Sequence, residues 1–147
     1  MRHAVLAGQA LLRRNYEDLT FCPQDNEADL RESKRRTLSA VRERLPGMLV
    51  YDDPLSLSPA EKARLLEKGL LPPSFESLTQ AALAAEEDET LSVAVNTGEH
   101  VLIQAQDQEG ELSALTARLR QAEAELNLPE YPYAHDARFG YLSFNPV

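Results

Sequence analysis

The chain has 147 residues, of which 43% are hydrophobic and 27% are charged, and its formal net charge at pH 7 is -9. This length fits one domain that can bury most of its apolar surface. The negative charge disfavours a nucleic acid as partner, because binding a phosphate backbone requires a basic surface. A membrane-spanning segment is also disfavoured, because no apolar run approaches the ~20 residues that such a helix needs.

The sequence favours a cytoplasmic protein that holds neither a metal nor a cofactor. Its opening residues break at Gln9 and are a poor signal peptide, and the lone Cys22 can form no internal disulfide,. The three histidines, His3, His100 and His135, are far apart in the sequence, which argues against a metal site,. The scattered glycines build no phosphate-binding loop.

Helical and strand patterns alternate along the first half of the chain. Residues 3–12 are apolar and fit either a buried strand or a short helix,. Residues 27–45 place apolar side chains on one face and predict a helix,. A short buried strand is predicted at residues 48–53, and a capping box at Ser58 then opens a second helix that ends near Gly69,.

The first predicted helix contains a basic run. Its cations are Arg31, Lys34, Arg35, Arg36, Arg42 and Arg44. Two glutamates, Glu32 and Glu43, are interleaved with them. Alternating charges of this kind favour a solvated helix face with ion pairs over a docking patch.

The second half of the chain predicts a strand hairpin followed by a helix. Residues 70–89 show no regular period and fit either a helix or a loop. Residues 90–96 and 100–106 alternate apolar and polar side chains, which predicts an antiparallel hairpin,. Residues 111–127 predict an amphipathic helix,. Its polar face carries Arg118, Arg120, Glu123 and Glu125. The last residues of the chain read as a final strand, and the whole pattern predicts an α+β fold.

The predicted hairpin carries a resemblance to a known family. "VNTGEHVLI" at 95–103 resembles the V-N-E-E-D-H-L-R-I of the ATP:guanidino phosphotransferases, the family of arginine and creatine kinases, and most closely its bacterial protein arginine kinases. Three more landmarks agree in order. "AGQALLRRNY" at 7–16 resembles S-S-R-I-R-L-A-R-N-F, "LLEKGLLPPS" at 65–74 resembles V-E-K-H-L-I-S-P, and "HDARFGYLSFNP" at 135–146 resembles F-D-E-K-L-G-Y-L-T-S-C-P.

The resemblance implies a fold and an extent. The fold is the glutamine synthetase-like catalytic domain of the guanidino kinases, a mostly antiparallel sheet with helices packed on one face. Because the family's chains run on past the last landmark, the resemblance also implies that residues 1–147 form a single truncated domain of this kind.

The charged residues of the family's reaction are not carried over. Phosphoryl transfer relies on positioning and on charge neutralisation. The positions matching two phosphate-clamping arginines of the family hold Gln9 and Leu11, and a third phosphate ligand matches Leu102. The two glutamates that hold the guanidinium match Thr97 and Gly98.

These departures predict a pseudokinase, a catalytically inactive domain that serves as a regulatory or protein-interaction module. By analogy, its partner would be a full-length arginine kinase, the activator of one, or a second copy of this chain. The alternative is a residual phosphotransferase, or a binder of a nucleotide, arginine or phosphoarginine. The remnant ligand pocket would consist of Arg14, Asn96, Glu99, His100 and Asn145, the last at the position of the family's reactive cysteine. For His100, a local hydrogen-bonding role is the favoured interpretation.

Overall fold

The computed structural model describes residues 8–19, 26–78, 80–88, 90–107, 112–136 and 140–141. Within these ranges the chain forms a five-stranded antiparallel sheet with the spatial order β1-β5-β4-β3-β2. Its strands are β1 (Gly8–Arg14), β2 (Leu49–Tyr51), β3 (Ala82–Ala85), β4 (Leu91–Val95) and β5 (Val101–Asp107). A smaller sheet pairs β6 (His135–Asp136) with β7 (Gly140–Tyr141). The helices are α1 (Glu27–Arg44), α2 (Pro59–Glu67) and α3 (Leu112–Leu126). The predicted α+β class is confirmed.

Capping side chains fix where the first two helices begin. The side chain of Asn26 accepts a hydrogen bond from the backbone N–H of Asp29, which satisfies one of the unpaired donors in the first turn of α1,. At α2 the Ser58 hydroxyl accepts from the N–H of Glu61 at 3.2 Å, and Pro59 occupies the first helical position,. The helices predicted over 27–45 and after Ser58 are therefore confirmed.

The two longer helices cover one face of the sheet. On this face the strands place alternate apolar side chains, and residues directly opposite each other on neighbouring strands share it, as Val93 and Ile103 do,. The buried cluster between helices and sheet includes Val41, Val93, Ile103, Leu115, Leu119 and Leu126. We call this side of the sheet the helical face.

The opposite side of the sheet, here called the second face, is covered over its β2–β4 half by α2 and the turn that follows it. Leu65, Leu71 and Phe75 lie in one buried cluster with side chains of β3 and β4, and Leu102 of β5 packs at the edge of that cluster. The longer helices thus share one face, as expected, while the short α2 adds cover on the other.

Two strands differ from expectation in ways that their position explains. The irregular, alanine-rich stretch contains β3, whose four side chains are at most 2% exposed and which lies between β2 and β4. Alanine favours helices, but the central position in the sheet overrides this preference. The strand predicted at 48–53 is present as β2, but the prediction that it is buried was wrong. Leu49 is 51% exposed because β2 is an edge strand of the described sheet.

The pairing of β1 and of the hairpin places the candidate site. The ambiguous stretch at 3–12 contains β1, which pairs antiparallel with β5 so that Arg14 lies opposite Val101. The predicted hairpin is confirmed, with Val95 opposite Val101 across its turn. The predicted final strand falls largely on residues 142–147, outside the described part of the chain. None of the described helices has the length and apolar character needed to cross a lipid bilayer.

Candidate functional site

The hairpin turn explains two of the residues that occupy it. Asn96 has a φ of 58°, in the left-handed region that asparagine tolerates better than most residues, and Gly98 has a φ of 138°,. The N–H of Asn96 donates to the carbonyl of His100 at 3.1 Å and closes the turn. Backbone geometry is therefore sufficient to account for asparagine and glycine here.

Asn15, directly after β1, ties the end of that strand to the hairpin. Its Nδ2 donates to Oε2 of Glu99 at 2.6 Å, and its Oδ1 accepts from the backbone N–H of His100 at 2.9 Å. Asn15 is completely buried and Glu99 is 4% exposed. The Glu99 carboxylate is thus held from within the protein. The predicted pocket omits Asn15, although its place beside Arg14 in the first landmark was a usable signal.

The His100 ring takes part in a second set of contacts, centred on Tyr16. Its Nδ1 accepts from the backbone N–H of Tyr16 at 3.0 Å, and the two rings stack with centroids 5.7 Å apart. The Tyr16 hydroxyl forms a 2.8 Å hydrogen bond with the Thr37 hydroxyl of α1. Burial raises the pKa of Tyr16 to about 12, so the phenol stays neutral at physiological pH. These contacts give His100 the local hydrogen-bonding role that the sequence favours.

Arg14 lies on the helical face and contacts α3. Its Nε donates to Oε2 of Glu123 at 2.5 Å, and its Nη1 donates to the carbonyl of Arg13 at 2.8 Å. Both members of the Arg14–Glu123 pair are buried. The prediction that Glu123 belongs to the polar face of its helix was therefore wrong, because that turn of α3 faces β1.

The Asn96 side chain points to a different part of the fold. Its Nδ2 donates to the carbonyls of Leu30 in α1 and Gln80 before β3, at 2.8 and 2.9 Å. Asn96 thereby fastens α1 and the segment leading into β3 to the hairpin.

The predicted pocket residues therefore separate into three places. Glu99 and His100 meet at Asn15, Arg14 pairs with α3, and Asn96 bonds to α1 and Gln80. Asn145 lies outside the described residues. All four described members are at most 8% exposed. The arrangement is a buried polar network that joins strand, hairpin and helix.

The second face of β1 and β5 holds the positions that the resemblance assigns to phosphate binding. In the strand register Gln9 lies opposite Gln106, Leu11 opposite Gln104, and Arg13 opposite Leu102. Leu11 is 37% exposed, and Leu102 packs toward the cluster under α2.

Amide side chains complete this part of the second face. Nε2 of Gln104 donates to Oε1 of Gln106, whose own Nε2 donates to the carbonyl of Lys68. Arg13 is the one cation that the described strands β1 and β5 place on this face. Among the described residues no three His, Cys, Asp or Glu side chains lie close enough to hold a metal ion.

Sequence comparison relates the chain to enzymes that transfer phosphate to guanidino groups. The profile described as "ATP:guanido phosphotransferase, C-terminal catalytic domain" matches residues 35–147. A protein-arginine kinase of Exiguobacterium sp. is 27% identical over 144 residues, which cover 97% of this chain and 40% of that protein. One of Symbiobacterium thermophilum is 28% identical over 148 residues, with 97% and 42% covered. The chain thus spans about two fifths of the length of these relatives.

Solved structures agree on the fold. A lombricine kinase superposes with a TM-score of 0.79 at 16% identity, over 95% of this chain and 43% of the other. The duplicated taurocyamine kinase from Schistosoma mansoni, with bound transition state analog components, gives a TM-score of 0.81 at 18% identity, over 95% and 21%. With the profile covering more than half of its residues, this chain belongs to the ATP:guanido phosphotransferase family and corresponds to its C-terminal catalytic domain.

Proposed function

We propose that this chain is a catalytically inactive guanidino phosphotransferase domain that acts as a regulatory or protein-interaction module. The observation that carries the proposal is the composition of the second face of β1 and β5. Where the resemblance places arginines around the nucleotide phosphates, this face has the apolar side chains of Leu11 and Leu102 and the amides of Gln104 and Gln106. None of these four groups neutralises a phosphate.

The energetic argument is cumulative. Enzymes of this chemistry work mostly by positioning and by electrostatic stabilisation. Removing one stabilising group typically costs about 3–4 kcal/mol of transition-state stabilisation, which can leave a weak enzyme. At Gln9, Leu11 and Leu102 several such groups are replaced together. A phosphate that entered this face would give up hydration and meet, from the described strands β1 and β5, only the one cation Arg13 in exchange,.

The positions that the resemblance assigns to binding the guanidinium substrate support the same proposal. Thr97 and Gly98 stand where the resemblance places the two substrate-holding glutamates. The neighbouring Glu99 is buried and accepts from Asn15. The bond from Asn15 occupies one oxygen of the Glu99 carboxylate, and at 4% exposure little of this side chain is open to a guanidinium ligand,.

A ligand titration separates this proposal from the alternative of a residual enzyme or binder. We would measure thermal shift and calorimetric heats with ATP, ADP, arginine and phosphoarginine, each with and without magnesium. A ligand at 100 times its Kd stabilises the native state by about 2.7 kcal/mol, which is readily visible as a shift in melting temperature. We expect no shift at millimolar ligand.

The opposite result has a defined form. A saturable shift, with transfer of labelled phosphate from ATP to arginine or to a protein, would overturn the proposed inactivity. Glu99→Gln is the matching variant, because it keeps the size of the side chain while removing its charge. Loss of the shift in this variant would locate the ligand at the hairpin.

A further inference from the structure

Two adjoining cavities lie beside α1, and neither is lined by Arg14, Asn15, Asn96, Glu99 or His100. The larger, of about 390 Å³, is lined on one side by Arg31, Lys34, Arg35 and Arg42. The smaller, of about 250 Å³, is lined by the polar residues Lys34, Asp53 and Gln80 and by the apolar residues Pro54, Leu55, Phe75, Leu78 and Ala81. Lys34 and Gln80 line both cavities, so the two cavities are neighbours. We call the two cavities together the α1 groove.

The charge of the larger cavity opposes that of the whole chain. Four cations of α1 line it, with Asp52 as the facing carboxylate, in a protein whose net charge is -9. Glu27 and Glu32 pair with Arg31 and Arg35 from α1 itself. The residues that line the larger cavity thus include more cations than carboxylates, in a chain of negative net charge, and such a local excess steers ligands of opposite charge,.

The ion pairs in the groove are of a kind that a ligand can replace. Nζ of Lys34 lies 3.1 Å from Oδ1 of Asp52, and a guanidinium nitrogen of Arg42 lies 3.8 Å from its Oδ2. The Asp52 side chain is 61% exposed, whereas that of Lys34 is 18% exposed. Exposed pairs of this type contribute at most about 1 kcal/mol. A carboxylate of a ligand would therefore replace Asp52 at little cost in free energy. Its partner, Lys34, is already held in position.

The junction of the two cavities is held by the hairpin. Gln80 has a φ of 59°, which is uncommon for a residue other than glycine,. Its carbonyl accepts from Nδ2 of Asn96, which also fastens α1 through the carbonyl of Leu30. Backbone held in a sparsely populated conformation tends to cluster at binding sites. Asn96 thus holds together the two walls of the groove.

The smaller cavity offers apolar side chains that an anchor residue can contact. Phe75 is buried at 2% exposure, whereas Leu55 is 46% exposed at the rim. A ligand that reached both halves would have to combine an apolar group with several negative charges. Peptide interfaces commonly pair an apolar anchor in a pocket with a charged rim.

We propose that the α1 groove binds an acidic peptide segment of a partner protein. Its carboxylates contact Arg31, Lys34 and Arg42, and one apolar side chain enters the smaller cavity. This inference rests on the proposed interaction function and names the chemistry of the partner. Charge complementarity favours this proposal over the expectation that this face of α1 is only solvated. A nucleic acid would supply anions without the aliphatic anchor.

The test is a fluorescence anisotropy titration with a labelled peptide in which one leucine precedes a run of glutamates. We expect saturable binding that weakens as salt rises. Lys34→Glu should weaken peptide binding about tenfold or more, because it replaces a half-buried cation with a negative charge that repels the peptide. Asp52→Asn should tighten binding by about threefold, because it removes the competing carboxylate. Arg120→Glu on α3 is the control with the same change of charge, and it should stay within about twofold of the unmodified protein.

Three results would overturn the proposal. They are the absence of saturable binding, equal effects of Lys34→Glu and Arg120→Glu, and tighter binding of a single-stranded oligonucleotide than of the peptide. Replacing the peptide's leucine by serine should also weaken binding, and an unchanged Kd would remove the role of the smaller cavity. Asp52→Asn alters only an exposed side chain, so its gain of affinity does not depend on a damaged fold. Transfer of phosphate from ATP would overturn the proposed inactivity and leave the groove untouched, whereas a lack of peptide binding would overturn the groove and leave the proposed inactivity untouched.

Discussion

Replacing Asn15 by alanine should destabilise the protein more than any exposed substitution. The change removes two buried hydrogen bonds at once, the 2.6 Å bond to the Glu99 carboxylate and the 2.9 Å bond from the N–H of His100. A hydrogen bond to a charged group contributes about 1.5–3 kcal/mol, and a buried N–H that loses its partner costs about 1–3 kcal/mol. The free energy of unfolding should therefore fall by roughly 3–5 kcal/mol, a large share of the ~5–15 kcal/mol typical of a domain.

Urea denaturation followed by circular dichroism measures this difference. The matched control is Asn127→Ala, the same substitution at an exposed asparagine just after α3, and it should change the free energy of unfolding by less than about 0.5 kcal/mol. By the scaling for domains of this size, Asn15→Ala should also lower the melting temperature by roughly 10 °C. If Asn15→Ala lies within about 1 kcal/mol of the control, the proposed fastening of hairpin to strand is refuted.

Three further predictions use the same denaturation assay. Glu123→Ala should cost about 3 kcal/mol or more, because it deprives the buried guanidinium of Arg14 of its carboxylate, and the combined change Arg14→Met with Glu123→Leu should recover most of the loss,. Hydrogen bonds from Arg35, and to a smaller extent those from Arg36, lower the pKa of Glu32 from 4.5 to about 2. Because that pKa is lower in the folded than in the unfolded chain, the stabilisation is present above about pH 4.5 and lost as the pH falls toward 2,. Glu32→Gln should flatten this acid limb, and an unchanged slope would contradict the assignment. Ser58→Ala should cost about 1 kcal/mol through loss of the helix cap, whereas Ser58→Asp should keep most of it.

Local signals in the sequence were sufficient for part of this fold. The hairpin was predictable because alternation of apolar residues and a turn containing Asn96 and Gly98 specify both strands and their register,. The start of α2 was predictable because the Ser58 cap acts within a single turn. In each case the determining interactions lie within a few residues of one another in the sequence.

The remaining features depend on contacts between distant residues. β3 could not be predicted, because alanine favours helices and only the flanking strands make residues 82–85 extended,. Glu123 was expected at the surface, because no sequence pattern links it to Arg14, which is 109 positions away. For the candidate site, individual residues were found but their grouping was not. The structure shows that Asn15, omitted from the prediction, joins Glu99 to His100.

The pairing of β1 with β5 also determines the order in which the protein can be assembled. β1 precedes the other described strands in the chain and has its partner at residues 101–107, so on the ribosome it must wait until the other described strands of the five-stranded sheet have emerged. β3, β4 and β5 are near neighbours in sequence and close short loops, which form sooner than distant pairings,. In a pulse-labelling hydrogen-exchange experiment, we expect the amides of β1 to become protected after those of β4. Until β1 docks, β5 has an unpaired edge that a neighbouring chain can occupy, so synthesis is the stage at which this protein is most exposed to strand exchange.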